Sequence, residues 1–367
     1  MSLGTIGVEE EYQLIDAGSG ALRPVNDVVL DAAEPALGDA VHPELLRTQV
    51  EVSTPVCDSL DQVDAELRAL RRRLNVVAAQ YGCRLGAAGT HPTARWDEQE
   101  VTPSERYLAM ASEFQQMALE TLIFGCHVHV GIEDPELRID VMNRIRPWLP
   151  TILALSANSP FWAGRDTGYG SYRTMVFRRW PTTGIPAFFA GNDDYERVVK
   201  TLVSAGAIED ATHLYWYVRP SARFPTLEVR IPDVCLTVDE AVTVAGLIAA
   251  MAATARGDAE AGREPPDARP ELLEAAVWRS ARYGLHERLI DVGSASLLPA
   301  PEVVLTMLAA LRPALEEADV WERIDDGVRG IIAGGTGATR QRAVYRKSNS
   351  LADVARYIAD QTAEVSD

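Results

Sequence analysis

Between residues 59 and 81 apolar side chains recur at alternating steps of three and four: Leu60, Val63, Leu67, Leu70, Leu74, Val77 and Tyr81. That period predicts a helix with one apolar stripe. Asp61 and Asp64 in its opening turns and Gly82 just past its end agree. The same period predicts helices over 104–122, 136–157, 193–205, 237–255 and 301–318, and from 350 onward. Thr237 followed by Glu240 fits a capping box. Between these lie short β-branched runs that predict strands at 5–15, 47–54, 84–88, 127–132, 214–219 and 226–231. Helices and strands are mixed rather than strictly alternating. Residues 257–270, with three prolines, read as a solvated loop before a helical C-terminal part that begins near 270.

Alternate residues on a strand share a face, and this sorts the chemistry of four of these strands. In Gly7 to Gln13, Glu9, Glu11 and Gln13 point one way and Val8, Glu10 and Tyr12 the other. Gln49 and Glu51 oppose Val50 and Val52; His127 and His129 oppose Cys126, Val128 and Val130; Glu228 and Arg230 oppose Leu227, Val229 and Ile231. Each strand has an apolar back and an ionisable front. One Glu-x-Glu pair alone usually marks a solvated face. Four such strands in one sheet would instead gather Glu9, Glu11, Glu51, His127, His129, Glu228 and Arg230. Four carboxylates that close repel one another unless cations neutralise them. Mg²⁺ suits this oxygen-rich set, and the imidazoles leave room for Mn²⁺. Arg230 beside Glu228 suits a phosphate.

A fifth segment, 158–173, packs glycines, aromatics, Arg165 and Arg173 into a loop too long for a simple connector. There Arg173 would clamp a carboxylate with Tyr169 and Ser171 as partners, or be held by a structural acid such as Asp166. His91, in the turn Gly89-Thr90-His91-Pro92, is either a substrate contact or structural. The run Gly334 to Ala338 before Arg340 and Arg342 looks like a phosphate loop but lacks the lysine-bearing P-loop pattern, and a helix connection explains it as well.

Composition narrows the chemistry. With 35 basic against 53 acidic residues the formal charge is −18 and the pI near 4.8, which argues against a nucleic-acid partner. Lys200 and Lys347 are the only lysines, so Schiff-base mechanisms are poor fits. The four cysteines, 57, 83, 126 and 235, form no Cys-x-x-Cys pair and no charged-then-apolar leader opens the chain; a cytoplasmic, reduced protein is expected. The charge-free stretches 148–164 and 241–255 fall short of the roughly 20 apolar residues of a membrane span, so no membrane segment is expected. At 367 residues the chain has material for a large core, in one domain or two intimate ones.

At these residues the chain resembles the carboxylate-amine ligases, also called glutamate-cysteine ligase type 2, within the glutamine synthetase-like superfamily. The matching stretches are Gly7-Val-Glu-Glu-Glu-Tyr12, Ala88-Gly-Thr-His-Pro92, Gly125-Cys-His-Val-His-Val-Gly131, Leu155-Ser-Ala-Asn-Ser-Pro-Phe-Trp162, Gly164-Arg-Asp-Thr-Gly168, Ser171-Tyr-Arg173, Thr226-Leu-Glu-Val-Arg-Ile-Pro-Asp233 and Gly335-Thr-Gly-Ala-Thr-Arg-Gln-Arg342. The resemblance implies an α+β fold spanning 1–367 as one ligase domain, a curved, mainly antiparallel sheet with the site on its concave face and helices on its back.

It also implies ATP and Mg²⁺ as cofactors, with Glu9, Glu11, Glu51, His127 and Glu228 holding two or three metal ions. His129 and Arg230 would face the ATP phosphates, acting in catalysis together with Glu228. Arg173, Arg165, Tyr169 and His91 would face the substrate. The implied reaction makes an amide through an acyl phosphate, with glutamate and cysteine as substrates and a homodimer as the assembly. A pocket of Trp162, Tyr169, Trp180 and Phe188 would admit another amine. Rival readings are a metal-dependent amidohydrolase, a guanidino phosphotransferase that keeps the fold, and a non-catalytic binding protein.

Overall fold

The computed structural model describes residues 3–364. Its strands, in chain order, are β1 (Ile6–Asp16), β2 (Val41–Pro43), β3 (Gln49–Ser53), β4 (Cys83–Gly86), β5 (Cys126–Gly131), β6 (Phe161–Trp162), β7 (Arg165–Asp166), β8 (Val218–Pro220), β9 (Thr226–Val229), β10 (Arg288–Asp291) and β11 (Ser296–Pro299). Seven of them form one antiparallel sheet in the order β2-β3-β1-β5-β9-β8, with β4 paired to the second half of β1. The pairs β6-β7 and β10-β11 stand apart as two-stranded ribbons.

The apolar back of the sheet carries the core. Val8, Val128, Val130, Leu227 and Val229 pack with Leu60, Val63 and Leu67 of the helix Leu60–Gln80 and with the helix Val238–Glu260. Tyr12, Val50 and Val52 pack with Leu70 and Leu74 and with Val29 and Ala33 of the helix Asn26–Leu37. Glu10 is the acid of β1 that lies within that buried back face. It is fully buried and meets Arg71, whose Nε donates to Glu10 Oε2 at 3.0 Å.

The expected helices form with informative changes. Ser59 caps the Leu60–Gln80 helix by accepting from the Gln62 N–H, and Gly82 leaves it at φ 69°. The 104–122 helix divides into Glu105–Phe114 and Gln116–Leu119 at Gln115, φ 49°. The 136–157 helix becomes Pro135–Ile145, a 3₁₀ turn Arg146–Trp148 and Leu149–Ser156, because Pro147 and Pro150 have no N–H to give and begin new turns instead. Thr237 and Glu240 make both halves of the capping box.

That capped helix runs on to Glu260, into the segment expected to be loop. At 23 residues it is long and apolar enough to cross a membrane, so shortness is not the argument against a span. Its apolarity is explained by burial, since 83% of its most hydrophobic stretch lies inside the protein. Four helices carry weaker signals in sequence: Asn26–Leu37 contains Pro35, Trp321–Gly334 contains Gly327 and Gly330, and Pro270–Tyr283 and Gly337–Ser348 follow proline- and glycine-rich runs. Gly327 is required there because a Cβ would collide with Thr243 of the central helix.

Candidate active site

Strand register assembles the polar face. Glu9 lies opposite His127, Glu11 opposite Glu51, and His129 opposite Glu228, which in turn faces Arg219. His127 Nδ1 is 3.0 Å from Glu9 Oε2, and His127 Nε2 is 3.7 Å from Glu11 Oε1. A proton on Nδ1 shared with Glu9 leaves the Nε2 lone pair free beside Glu11. His129 Nδ1 meets Thr226 Oγ1 at 2.9 Å. Its Nε2 is buried without a hydrogen-bond partner, because Glu9 Oε1, 3.3 Å away, lies outside bonding geometry.

At the other end Glu228 is held by Arg219 Nε at 2.8 Å and by Arg230 Nη1. Burial raises its pKa, but Arg230 and then Arg219 outweigh this and hold the carboxyl well below its ordinary value. Burial likewise works against Glu9, and the hydrogen bond from His127 together with the neighbouring His129 imidazole reverses it, so that carboxyl too is held low. Glu51 and Glu44 behave oppositely. Burial and then the Glu9, Glu44 and Glu11 charges push Glu51 up, and burial and the Glu11 charge push Glu44 up to about 8.

Donor atoms from this face fall into three groups, each within 4.8 Å mutually: Glu9, His129 and Glu228; Glu9, Glu51 and His127; Glu11, Glu44 and Glu51. The unpartnered His129 Nε2, the carboxyls pushed toward protonation and the oxygen-rich donor set all fit hard divalent cations such as Mg²⁺ or Mn²⁺.

The profile of glutamate-cysteine ligase family 2 matches residues 5–359. This chain belongs to that family. Proteins provisionally named glutamate-cysteine ligase 2 include one from Rhodopirellula baltica, 42% identical over 356 residues and covering 95% of each chain. One from Frankia casuarinae is 40% identical over 360 residues, 98% of this chain but 42% of that longer protein. In fold the chain is similar to the glutamate-cysteine ligase of Francisella tularensis, with a TM-score of 0.72 at 12% identity, covering 98% of this chain and 89% of that one. The protein is thus an ATP-dependent ligase that forms C–N bonds, on an α+β fold shared with that glutamate-cysteine ligase.

Two members of the ligase's polar face went unread in the sequence. Glu44 follows β2, whose three residues carry too short a pattern to read. Arg219 ends a run expected as a strand over 214–219, but in the structure only Val218–Pro220 pairs, and it is this pairing that turns Arg219 to Glu228.

The residues expected to bind substrate are not brought to the ligase's polar face. His91 is buried. Its Nε2 bonds the Gly20 carbonyl at 2.9 Å and its Nδ1 accepts from the Ala94 N–H, and burial drops its pKa to about 4; it is a structural histidine. Arg173 is 2% exposed, with Nη1 and Nη2 on the carbonyls of Ile231 and Arg230 and Nε alone unpaired, so no two-pronged edge is left for a substrate carboxylate. Asp166, the alternative partner for Arg173, is held by Arg342 instead. Arg165 is exposed on the β6-β7 ribbon, and Tyr169 bonds Trp278 and lies under Arg282.

The four aromatics do not form one pocket. Trp162 lines a cleft of about 140 Å³ with Trp96, Glu120, Tyr172, Met175, Val176 and Arg179, whereas Trp180 bonds Thr121 in the core and Phe188 lies over Arg146 on the surface. The Gly334–Ala338 run joins the helices Trp321–Gly334 and Gly337–Ser348 and packs against the 157–158 backbone. A Cβ at Gly337 would strike Asn158, and Ala338 N–H bonds the Ala157 carbonyl.

Proposed function

We propose that this ligase joins the γ-carboxylate of L-glutamate to the amino group of cysteine, giving γ-glutamylcysteine, ADP and phosphate. The observation that carries the reading is the single row formed by Glu9 with His127 and by His129 with Glu228 and Arg219, flanked by Arg230. The names of the family and of the relatives support the choice of substrates.

The chemistry needs two displacements. A carboxylate oxygen attacks the γ-phosphorus of ATP, the bond to the β-phosphate oxygen breaks, and ADP leaves. The amine then attacks the acyl carbon, the C–O bond breaks, and phosphate leaves as the nitrogen loses its proton. Oxide is a poor leaving group from a carboxylate and phosphate is a good one, so the first step makes the second feasible.

Arg230, with its Nε still unpaired, directs donors at the transferring phosphoryl oxygens, and Arg219 keeps Glu228 ionised beside it. His129 Nε2 faces the same volume, oriented from behind by Thr226. Glu9, Glu11, Glu51, His127 and Glu228 would hold the divalent ions, with Glu44 as an added oxygen donor. Such ions screen phosphate charge from the attacking carboxylate.

The test is phosphate release from ATP with Mg²⁺ and L-glutamate across a panel of amines. Release that requires glutamate and is fastest with cysteine, with γ-glutamylcysteine recovered, supports the reading. Equal rates with unrelated amines would reassign the acceptor, and a phosphorylated guanidine product would replace ligation by phosphotransfer.

A further inference from the structure

The side chain expected to touch substrate does something else. Arg173 sits on the short helix Tyr172–Phe177, capped by Ser171, and its guanidinium runs beneath the joint between β5 and β9. Nη1 donates to the Ile231 carbonyl and Nη2 to the Arg230 carbonyl, each at 3.2 Å. Nη1 is 3.9 Å from Asp233 Oδ1, and Asp233 is itself fixed by Ser159 Oγ and Ser171 Oγ, both at 2.7 Å.

The same guanidinium packs against Gly125, where a Cβ would collide with Nη2 unless the guanidinium moved off. Gly125 is no bystander. Its N–H donates to Glu11 Oε2 at 2.6 Å and its carbonyl accepts the Glu11 N–H at 3.1 Å. One buried cation therefore touches the main chain of the residue that orients Glu11, and also the main chain of Arg230, whose side chain closes on Glu228.

We propose that Arg173 is a positioning residue that sets the distance between the Glu11 side and the Glu228–Arg230 side of the active face. A planar fork bonding two successive carbonyls fixes both the height and the twist of the chain leaving β9. Lysine would keep the charge but, as a single point donor, could not span both carbonyls and cover Gly125 as well. The role rests on the ligase reading only for its kinetic consequence. The geometric consequence, the spacing of carboxylates, is readable without turnover.

The experiment compares wild type, Arg173→Lys, Gly125→Ala and the double variant as full-length proteins, with circular dichroism confirming folding. Two quantities are read: steady-state kinetics with ATP, L-glutamate and cysteine, and Mn²⁺ affinity by electron paramagnetic resonance with no nucleotide present. We expect kcat to fall at least tenfold in Arg173→Lys while KM for glutamate and ATP stays within threefold. Mn²⁺ binding should weaken at least fivefold.

Gly125→Ala approaches the same contact from the other side and should show the same split, deciding the matter alone if the lysine variant does not fold. Because both act through one contact, the double variant should lose no more than the worse single one. A raised KM for glutamate with kcat unchanged would make Arg173 a substrate clamp and overturn the proposal; unchanged Mn²⁺ affinity and kcat, or additive losses, would also overturn it. Wild type that binds Mn²⁺ but performs no ligation, with Arg173→Lys still weakening the metal, would sink the ligase reading and leave the positioning role standing.

Discussion

Glu228 of β9 lies opposite Arg219 of β8 and takes its Nε at 2.8 Å on one carboxylate oxygen, while Arg230, just past the end of β9, closes on the other. A carboxylate between two guanidinium groups stays ionised despite its burial, and its partners stay oriented. Replacing it with Glu228→Gln removes the charge and frees both arginines. Because one preorganised charged group is worth roughly 10²–10³ in rate, kcat/KM for glutamate-dependent phosphate release should fall about a hundredfold or more. A variant within threefold of wild type would show that Glu228 takes no part in the chemistry.

Metal-free protein should weaken from about pH 6.5 toward pH 8, the window above the ordinary histidine range in which the lowered pKa values of buried His91 and His127 no longer count. Glu44, pushed up to about 8, and Glu51, also raised, keep protons that the unfolded chain has already released, so rising pH favours unfolding across that window. Glu9 and Glu228 are depressed, so their contribution is present above the ordinary carboxylate range and is lost as pH falls below it. Each unit of upward shift left unrelieved costs about 1.4 kcal/mol at the alkaline end. Thermal unfolding in a chelator should show Tm dropping from about pH 6.5 to 8, with Mg²⁺ or Mn²⁺ restoring more at pH 8 than at pH 6.5. A Tm that holds or rises over that interval without metal would contradict the crowding of carboxylates.

Glu10 and Arg71 form a buried ion pair on the back of the strand that carries Glu9 and Glu11. Glu10→Gln strands the guanidinium, which also bonds the carbonyls of Cys235 and Leu236. Urea unfolding should register a loss of about 3–5 kcal/mol. A loss under 1 kcal/mol would mean that the two carbonyls alone satisfy Arg71.

His91 is expected to matter for folding and not for turnover. His91→Phe removes the bond to the Gly20 carbonyl and the acceptor for Ala94 N–H, costing about 1–3 kcal/mol by denaturant unfolding. The folded variant should keep kcat/KM within threefold of wild type. A hundredfold loss with unchanged stability would return His91 to the substrate.

The alternation of Glu9, Glu11, Glu51, His127, His129, Glu228 and Arg230 was readable because a two-residue period depends only on backbone pleat, and an apolar back leaves no doubt which face is solvated or functional. Helices with an unbroken stripe, such as Leu60–Gln80, were readable for the same local reason. Glu44 and Arg219 were not, since β2 and β8 have three residues each and their place comes from pairing with β3 and β9.

The four strands thus carried in their own order the residues of a carboxylate-and-histidine face, and with the family motifs the class of reaction. Tertiary structure decided which polar side chains reach that face. Arg173, His91 and Tyr169 have the composition of ligand contacts, but local sequence cannot say whether an arginine fork meets a substrate or a neighbouring carbonyl. That choice depends on what a distant strand places within about 3 Å, and here the partners are the backbone of Arg230, Ile231 and Gly20 and the side chain of Trp278.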